Sequence, residues 1–143
     1  MTEIAFHFNA PDRLGYVCRL LRKAVGGGAK VVVTGPVDVL TQLDGALWML
    51  SPTDFIPHCG PEAGSAVFAK SPVVLVPSVQ DPPFLDVLVN LGASMPDGFD
   101  RFGRLIEVVT LNEVDRKEAR GRWKHYSDAG FKLIRHDVQK VAS

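Results

Sequence analysis

The chain has 143 residues, of which 46% are hydrophobic and 22% charged, and sixteen Lys+Arg balance sixteen Asp+Glu. That apolar content supports one domain-sized core and excludes a disordered tail, while the zero net charge excludes coating of nucleic acid or membrane by bulk charge. The balance is segregated: residues 1–100 carry six basic and ten acidic side chains, and residues 101–143 carry ten basic and six acidic.

The elements follow in chain order. Ile4–Phe8 is a short β-type run, ended by Asn9-Ala-Pro-Asp12. Leu14, Val17, Cys18, Leu20, Leu21, Ala24 and Val25 then recur at helical spacing, with Arg13, Arg19, Arg22 and Lys23 on the other face. Gly26-Gly-Gly28 ends that helix. Lys30–Thr34 is a continuous apolar run of the kind buried on both faces of a parallel sheet. Gly35-Pro36 opens a second helix that reaches about Trp48. Ser51–Gly64, interrupted by Pro52, Pro57, Gly60 and Pro61, reads as a loop. Ala66–Ala69, Val73–Val76, Val87–Asn90 and Leu105–Leu111 are the remaining strand candidates, with a turn at Pro96-Asp-Gly98. Asn112 or Asp115 caps a final helix to about Ser127, with Gly130 as its stop. Strand–helix alternation predicts one α/β domain over residues 1–143 with right-handed crossovers in a parallel sheet.

Two cysteines give neither a disulfide framework nor zinc-ligand spacing. No apolar run approaches the length of a membrane span, and a strand starting at residue 3 leaves no room for a signal peptide. The expectation is a cytoplasmic protein without cofactor or metal.

Few positions suggest chemistry. Gly26–Gly28 follow a helix and precede a strand, the reverse of a phosphate-binding loop, so they read as a turn. Thr34-Gly35-Pro36 does sit at a strand-to-helix junction, where open α/β sheets hold ligands. It supports an alternative, a small nucleotide-binding or hydrolytic enzyme, although no anchoring lysine lies nearby. His58-Cys59 is the one adjacent base–nucleophile pair, and neighbours in an extended loop point apart. His7 reads as a structural side chain of the first strand.

Two clusters fit recognition better. Trp48, Met49, Phe55 and Ile56 surround the proline-punctuated loop of the acid-rich region, either as core or as an exposed aromatic anchor. On the last helix Arg116, Arg120, Trp123 and Lys124 share one face, within a run that also holds Lys117, Arg122 and Tyr126. Val114, Ala119 and Tyr126 are expected on its buried side. A ring set between cations suits a ligand with an acidic run and an apolar side chain. A third reading, direct single-strand binding by this helix, has Trp123 as its one stacking platform.

The segments Leu43-Asp-Gly-Ala-Leu-Trp48, Ser51-Pro-Thr-Asp-Phe-Ile-Pro-His58 and Arg120-Gly-Arg-Trp-Lys-His-Tyr-Ser-Asp-Ala-Gly-Phe131 together resemble the signatures of the chi subunit of bacterial DNA polymerase III. The resemblance spans the chain and implies a single-domain, three-layer Rossmann-like fold with a mainly parallel central sheet and no catalytic activity of its own. It implies a clamp-loader accessory subunit that joins the assembly through psi or an equivalent partner, and that binds the acidic C-terminal tail of the single-stranded DNA-binding protein. DNA is then reached only indirectly. The tail-binding positions would be Arg116, Arg120, Trp123 and Lys124, with Trp123 where relatives commonly carry Tyr. The interface to psi, or to a helicase-like repair protein, would use Trp48, Phe55 and Ile56.

Overall fold

The computed structural model describes residues 2–49, 58–60, 71–79, 82 and 84–141. Its elements are β1 (Glu3–Ala10), α1 (Arg13–Gly26), β2 (Val31–Thr34), α2 (Val37–Trp48), β3 (His58–Cys59), β4 (Val73–Val76), β5 (Val87–Asn90), a 3-10 turn (Phe99–Arg101), β6 (Arg104–Thr110), α3 (Glu113–Asp128), β7 (Lys132–Asp137) and α4 (Val138–Val141). The strands form one sheet in the order β3-β4-β2-β5-β6-β1-β7, and every described pairing is parallel.

The continuous valine runs explain the layering. Val31 and Val33 of β2 face one core with Val17 and Leu21 of α1 and Leu40, Leu43 and Leu47 of α2. Val32 and Val74 face the other, with Phe6, Phe102 and the inner side of α3 at Ala119 and Tyr126. A strand buried on both faces must be apolar at every position, which is why alternation is absent here. The result is the expected three-layer Rossmann-like domain, with α1 and α2 on one face of the sheet and α3 on the other.

Local signals set several boundaries. Gly28 and Gly130 both adopt φ +88 after helices, a conformation that costs an L side chain but not glycine. The Asn112 side chain caps α3 by accepting from the backbone N–H groups of Val114 and Asp115 at 2.9 and 3.1 Å. At the end of β1 the register shifts between His7 and Ala10, where Asn9 holds φ 66, a left-handed conformation that Asn tolerates well.

Three expectations are revised. His58–Cys59, inside the stretch read as a loop, pairs with Val73 and Val74 as a short parallel strand. Strand β7 carried no clear signal, because Lys132 and Arg135 are exposed while Leu133 and Ile134 are only half-buried, so no period-2 pattern forms. Its register comes from six consecutive pairings with β1, a tertiary effect. Val114, expected on the buried side of α3, is 65% exposed in the helix's first turn. The Ala66–Ala69 strand candidate lies outside the described residues, as do Phe55 and Ile56.

Candidate peptide-binding site

Helix α3 returns over the sheet, so its first half sits above the C-terminal ends of β6, β1 and β7. A cleft of about 350 Å³ opens there, lined by Arg116, Ala119, Arg120 and Trp123 of α3 and by Phe6, Phe8, Asn9, Val109 and Arg135 of the sheet. Period-2 geometry puts Phe6 and Phe8 on the same side of β1, facing α3. The half-buried Trp123 meets Phe6 edge-on, with ring centroids 5.0 Å apart. The floor is therefore aromatic and aliphatic, and three guanidinium groups stand around it.

Arg116, Arg120 and Trp123 are thus brought together. Lys124 is exposed on the same helix but does not line the cleft. Phe6, Phe8, Asn9 and Arg135 were not among the expected site residues. Alternation along Ile4-Ala-Phe-His-Phe8 is the signal that pairs Phe6 with Phe8, whereas Arg135 has none without knowledge of β7.

Arg122, counted in sequence among the basic residues of the helix, is buried on its inner side. Its Nε donates to Glu107 Oε1 at 3.1 Å and its Nη1 to the Ala93 carbonyl at 2.7 Å. Tyr126 Oη donates to Glu107 Oε2 at 2.6 Å, and Asn90 Nδ2 lies 3.1 Å from both carboxylate oxygens. Burial pushes the Glu107 carboxyl upward, and the Arg122 guanidinium opposes it. Burial first, then Glu107, raises the Tyr126 phenol. No buried side-chain polar atom among the described residues lacks a partner. The quartet fastens α3 to β5 and β6 and so fixes the side of the helix on which Arg120 and Trp123 line the cleft.

The other candidate positions look different. A cleft of about 510 Å³ at the ends of β2, β4 and β5 includes Thr34, Gly35 and Asn90, and among the described residues no lysine or arginine lines it. Gly35 answers to packing, since a Cβ there would lie 3.0 Å from Leu91 Cβ and 3.2 Å from its carbonyl carbon. The buried His58 ring places Nε2 2.8 Å from Asp44 Oδ1 on α2; the Cys59 side chain lies outside the described set. Trp48 is 62% exposed and Met49 85% at the end of α2, and Trp48 meets the His58 ring at 5.4 Å. His7 hydrogen-bonds Tyr16 and packs against His136, with centroids 4.5 Å apart and ring planes tilted by 35°. Burial, then His136, lowers its pKa to about 4.

By fold this is a parallel α/β domain of Rossmann type. Comparison with known proteins adds the family: residues 1–134 match the family described as "DNA polymerase III chi subunit, HolC". The chain is 31% identical to the DNA polymerase III subunit chi of Pseudomonas aeruginosa, over 99% of this chain and 100% of that one. It is 27% identical to the subunit chi of Escherichia coli, over 82% and 80% of the two chains. It therefore belongs to the DNA polymerase III chi subunit family, a replication accessory subunit. A solved structure of the C-terminal domain of the DEAD-box protein Dbp5 superposes with TM-score 0.59 at 11% identity, over 94% of this chain and 89% of that one, a likeness of fold alone. Among the described residues no helix is long and apolar enough to cross a membrane.

Proposed function

We propose that the chain is a non-catalytic connector of the replication machinery: it binds the acidic C-terminal tail of the single-stranded DNA-binding protein and joins the clamp loader through psi or an equivalent partner. The observation that carries this reading is the cleft under α3, where Arg116 and Arg120 flank an apolar floor closed by Trp123. Such a site takes a peptide that supplies carboxylates to the guanidiniums and an apolar residue to the floor. Lys124 extends the positive surface beyond the cleft and meets acidic residues further along the peptide.

A direct test is titration with a peptide of that tail. Arg120→Ala weakens binding by roughly tenfold, the worth of one charge-assisted contact, and Lys124→Ala weakens it less. Affinity falls as salt rises, because these cations are exposed. Unchanged binding in Arg120→Ala, or a salt-insensitive complex, refutes the site. Trp48 with Phe55 and Ile56 forms the second interface, towards psi or a helicase-like repair protein, and the exposure of Trp48 and Met49 supports an anchor rather than core. A nucleotide enzyme centred on Thr34-Gly35 is disfavoured because no cation lines that cleft among the described residues, and common nucleotides are expected to leave the thermal melt unmoved.

A further inference from the structure

Strand β2 stands where the winding of the sheet reverses. The chain leaves β2 into α2, on the same face as α1, whereas Val79 after β4 and Met95 after β5 pack on the opposite face. Connections that part on the two sides of a strand open a crevice at the carboxyl ends of a parallel sheet, where such sheets take ligands. The cleft of about 510 Å³ at Thr34 is that crevice, and its volume suits a small molecule.

One row of side chains crosses its floor. The pairing register sets Val76, Thr34, Asn90 and Glu107 side by side on β4, β2, β5 and β6. Glu107 is held by Arg122, Tyr126 and Asn90. Asn90 is engaged as well: Nδ2 also donates to the Ser94 carbonyl at 3.0 Å, and Oδ1 accepts from the Gly92 N–H at 2.9 Å. Thr34 differs. It is only 4% exposed, yet its hydroxyl makes no hydrogen bond among the described residues. Every described side-chain polar atom that is sealed from solvent has a partner, so this hydroxyl opens into the cleft. A valine would continue the run Val31–Val33 without leaving a polar atom to satisfy.

The walls narrow the choice of ligand. Pro36, Pro77, Val79 and Met95 are apolar, Asp97 is an exposed carboxylate, and among the described residues no lysine or arginine faces them. A phosphate would meet Asp97 without a counter-charge. A flat ring with a polar edge fits proline and methionine walls above a hydroxyl, and a sugar diol donates to a carboxylate. We infer that the crevice at the end of β2 binds an uncharged nucleoside, with its base edge on the Thr34 hydroxyl and its ribose hydroxyls towards Asp97. This second site is independent of the peptide cleft under α3.

The test is ligand-observed NMR titration of the full chain with adenosine, uridine and AMP. The proteins are the unmodified chain, Thr34→Val, Thr34→Ser and Arg120→Ala. At least one nucleoside is expected to bind, and AMP more weakly than adenosine. Thr34→Val weakens nucleoside binding roughly tenfold, the worth of one buried hydrogen bond, while Thr34→Ser, which keeps the hydroxyl, restores it. Arg120→Ala binds nucleoside like the unmodified chain. Thr34→Val is also expected to melt no lower than the unmodified chain, because it keeps the shape and removes a hydroxyl without a partner. A lower melt would show that the fold itself uses that hydroxyl and would overturn the inference. So would binding of neither nucleoside, equal affinity in Thr34→Val, AMP binding as tightly as adenosine, or loss of binding in Arg120→Ala, which would move the ligand to the peptide cleft.

Discussion

At the scale of single residues, the buried Glu107 quartet makes the sharpest demands. Each described partner of the Glu107 carboxylate is a donor, and Arg122 is the one cation among them, so removing Arg122 leaves a buried charge without its counter-charge. Arg122→Ala is expected to destabilise the chain by about 3–5 kcal/mol in denaturant unfolding, and Tyr126→Phe by about 1–3 kcal/mol. Replacing both members of the ion pair by apolar residues, Glu107→Leu with Arg122→Met, costs less than Arg122→Ala alone. A double variant that costs as much as Glu107→Leu and Arg122→Met added together would show that the pair is not coupled. The phase of Arg122 was legible in sequence, because two residues from Arg120 is the far side of a helix. Its burial was not, because the carboxylate that admits it lies on β6.

His7 gives the pH dependence at the same scale. Its pKa is about 4 in the folded chain against 6.5 ordinarily, so the unfolded chain takes up the proton first as pH falls. Stability is therefore fully present above about pH 6.5 and is lost progressively towards pH 4, by at most about 3 kcal/mol. His7→Gln is expected to flatten that part of the stability profile. An unchanged slope between pH 6.5 and 4 would assign the loss to other groups.

At the scale of elements, α3 joins local propensity to the site. Its cap, its inner face at Ala119 and Tyr126 and the shared face of Arg120 and Trp123 follow from spacing that could be read directly. Asn112→Ala is expected to cost about 1 kcal/mol by freeing the first-turn N–H groups. Gly121 is the one local inconsistency. A Cβ there meets nothing within 4 Å, so no packing within the chain requires glycine. Gly121→Ala should raise stability by about 1 kcal/mol without altering peptide affinity. If the variant is more stable and binds more weakly, the ligand approaches the helix backbone at this point. The sheet wall was the illegible part: β7 is an edge strand whose half-buried residues follow no period, and its register is imposed by β1. Arg135 therefore enters the site only through the fold.

At the scale of the molecule, the zero net charge resolves into two unlike regions. The basic third carries the cleft, where Arg116, Arg120 and Arg135 surround an apolar floor. The acid-rich part ends α2 at Trp48 and Met49, whose exposure sets them apart from the packed Leu40, Leu43 and Leu47 of the same helix. Trp48→Ala is expected to change stability by less than about 1 kcal/mol and to abolish capture of the clamp-loader partner while leaving tail binding intact. Unfolding of that variant would return Trp48 to the core.

The central claim is that this chain reaches replicating DNA through a protein tail. The most direct measurement is titration against the full-length single-stranded DNA-binding protein and against the same protein lacking its C-terminal tail. Saturable, salt-sensitive binding to the first and none to the second is the predicted result, and equal binding to both would contradict it.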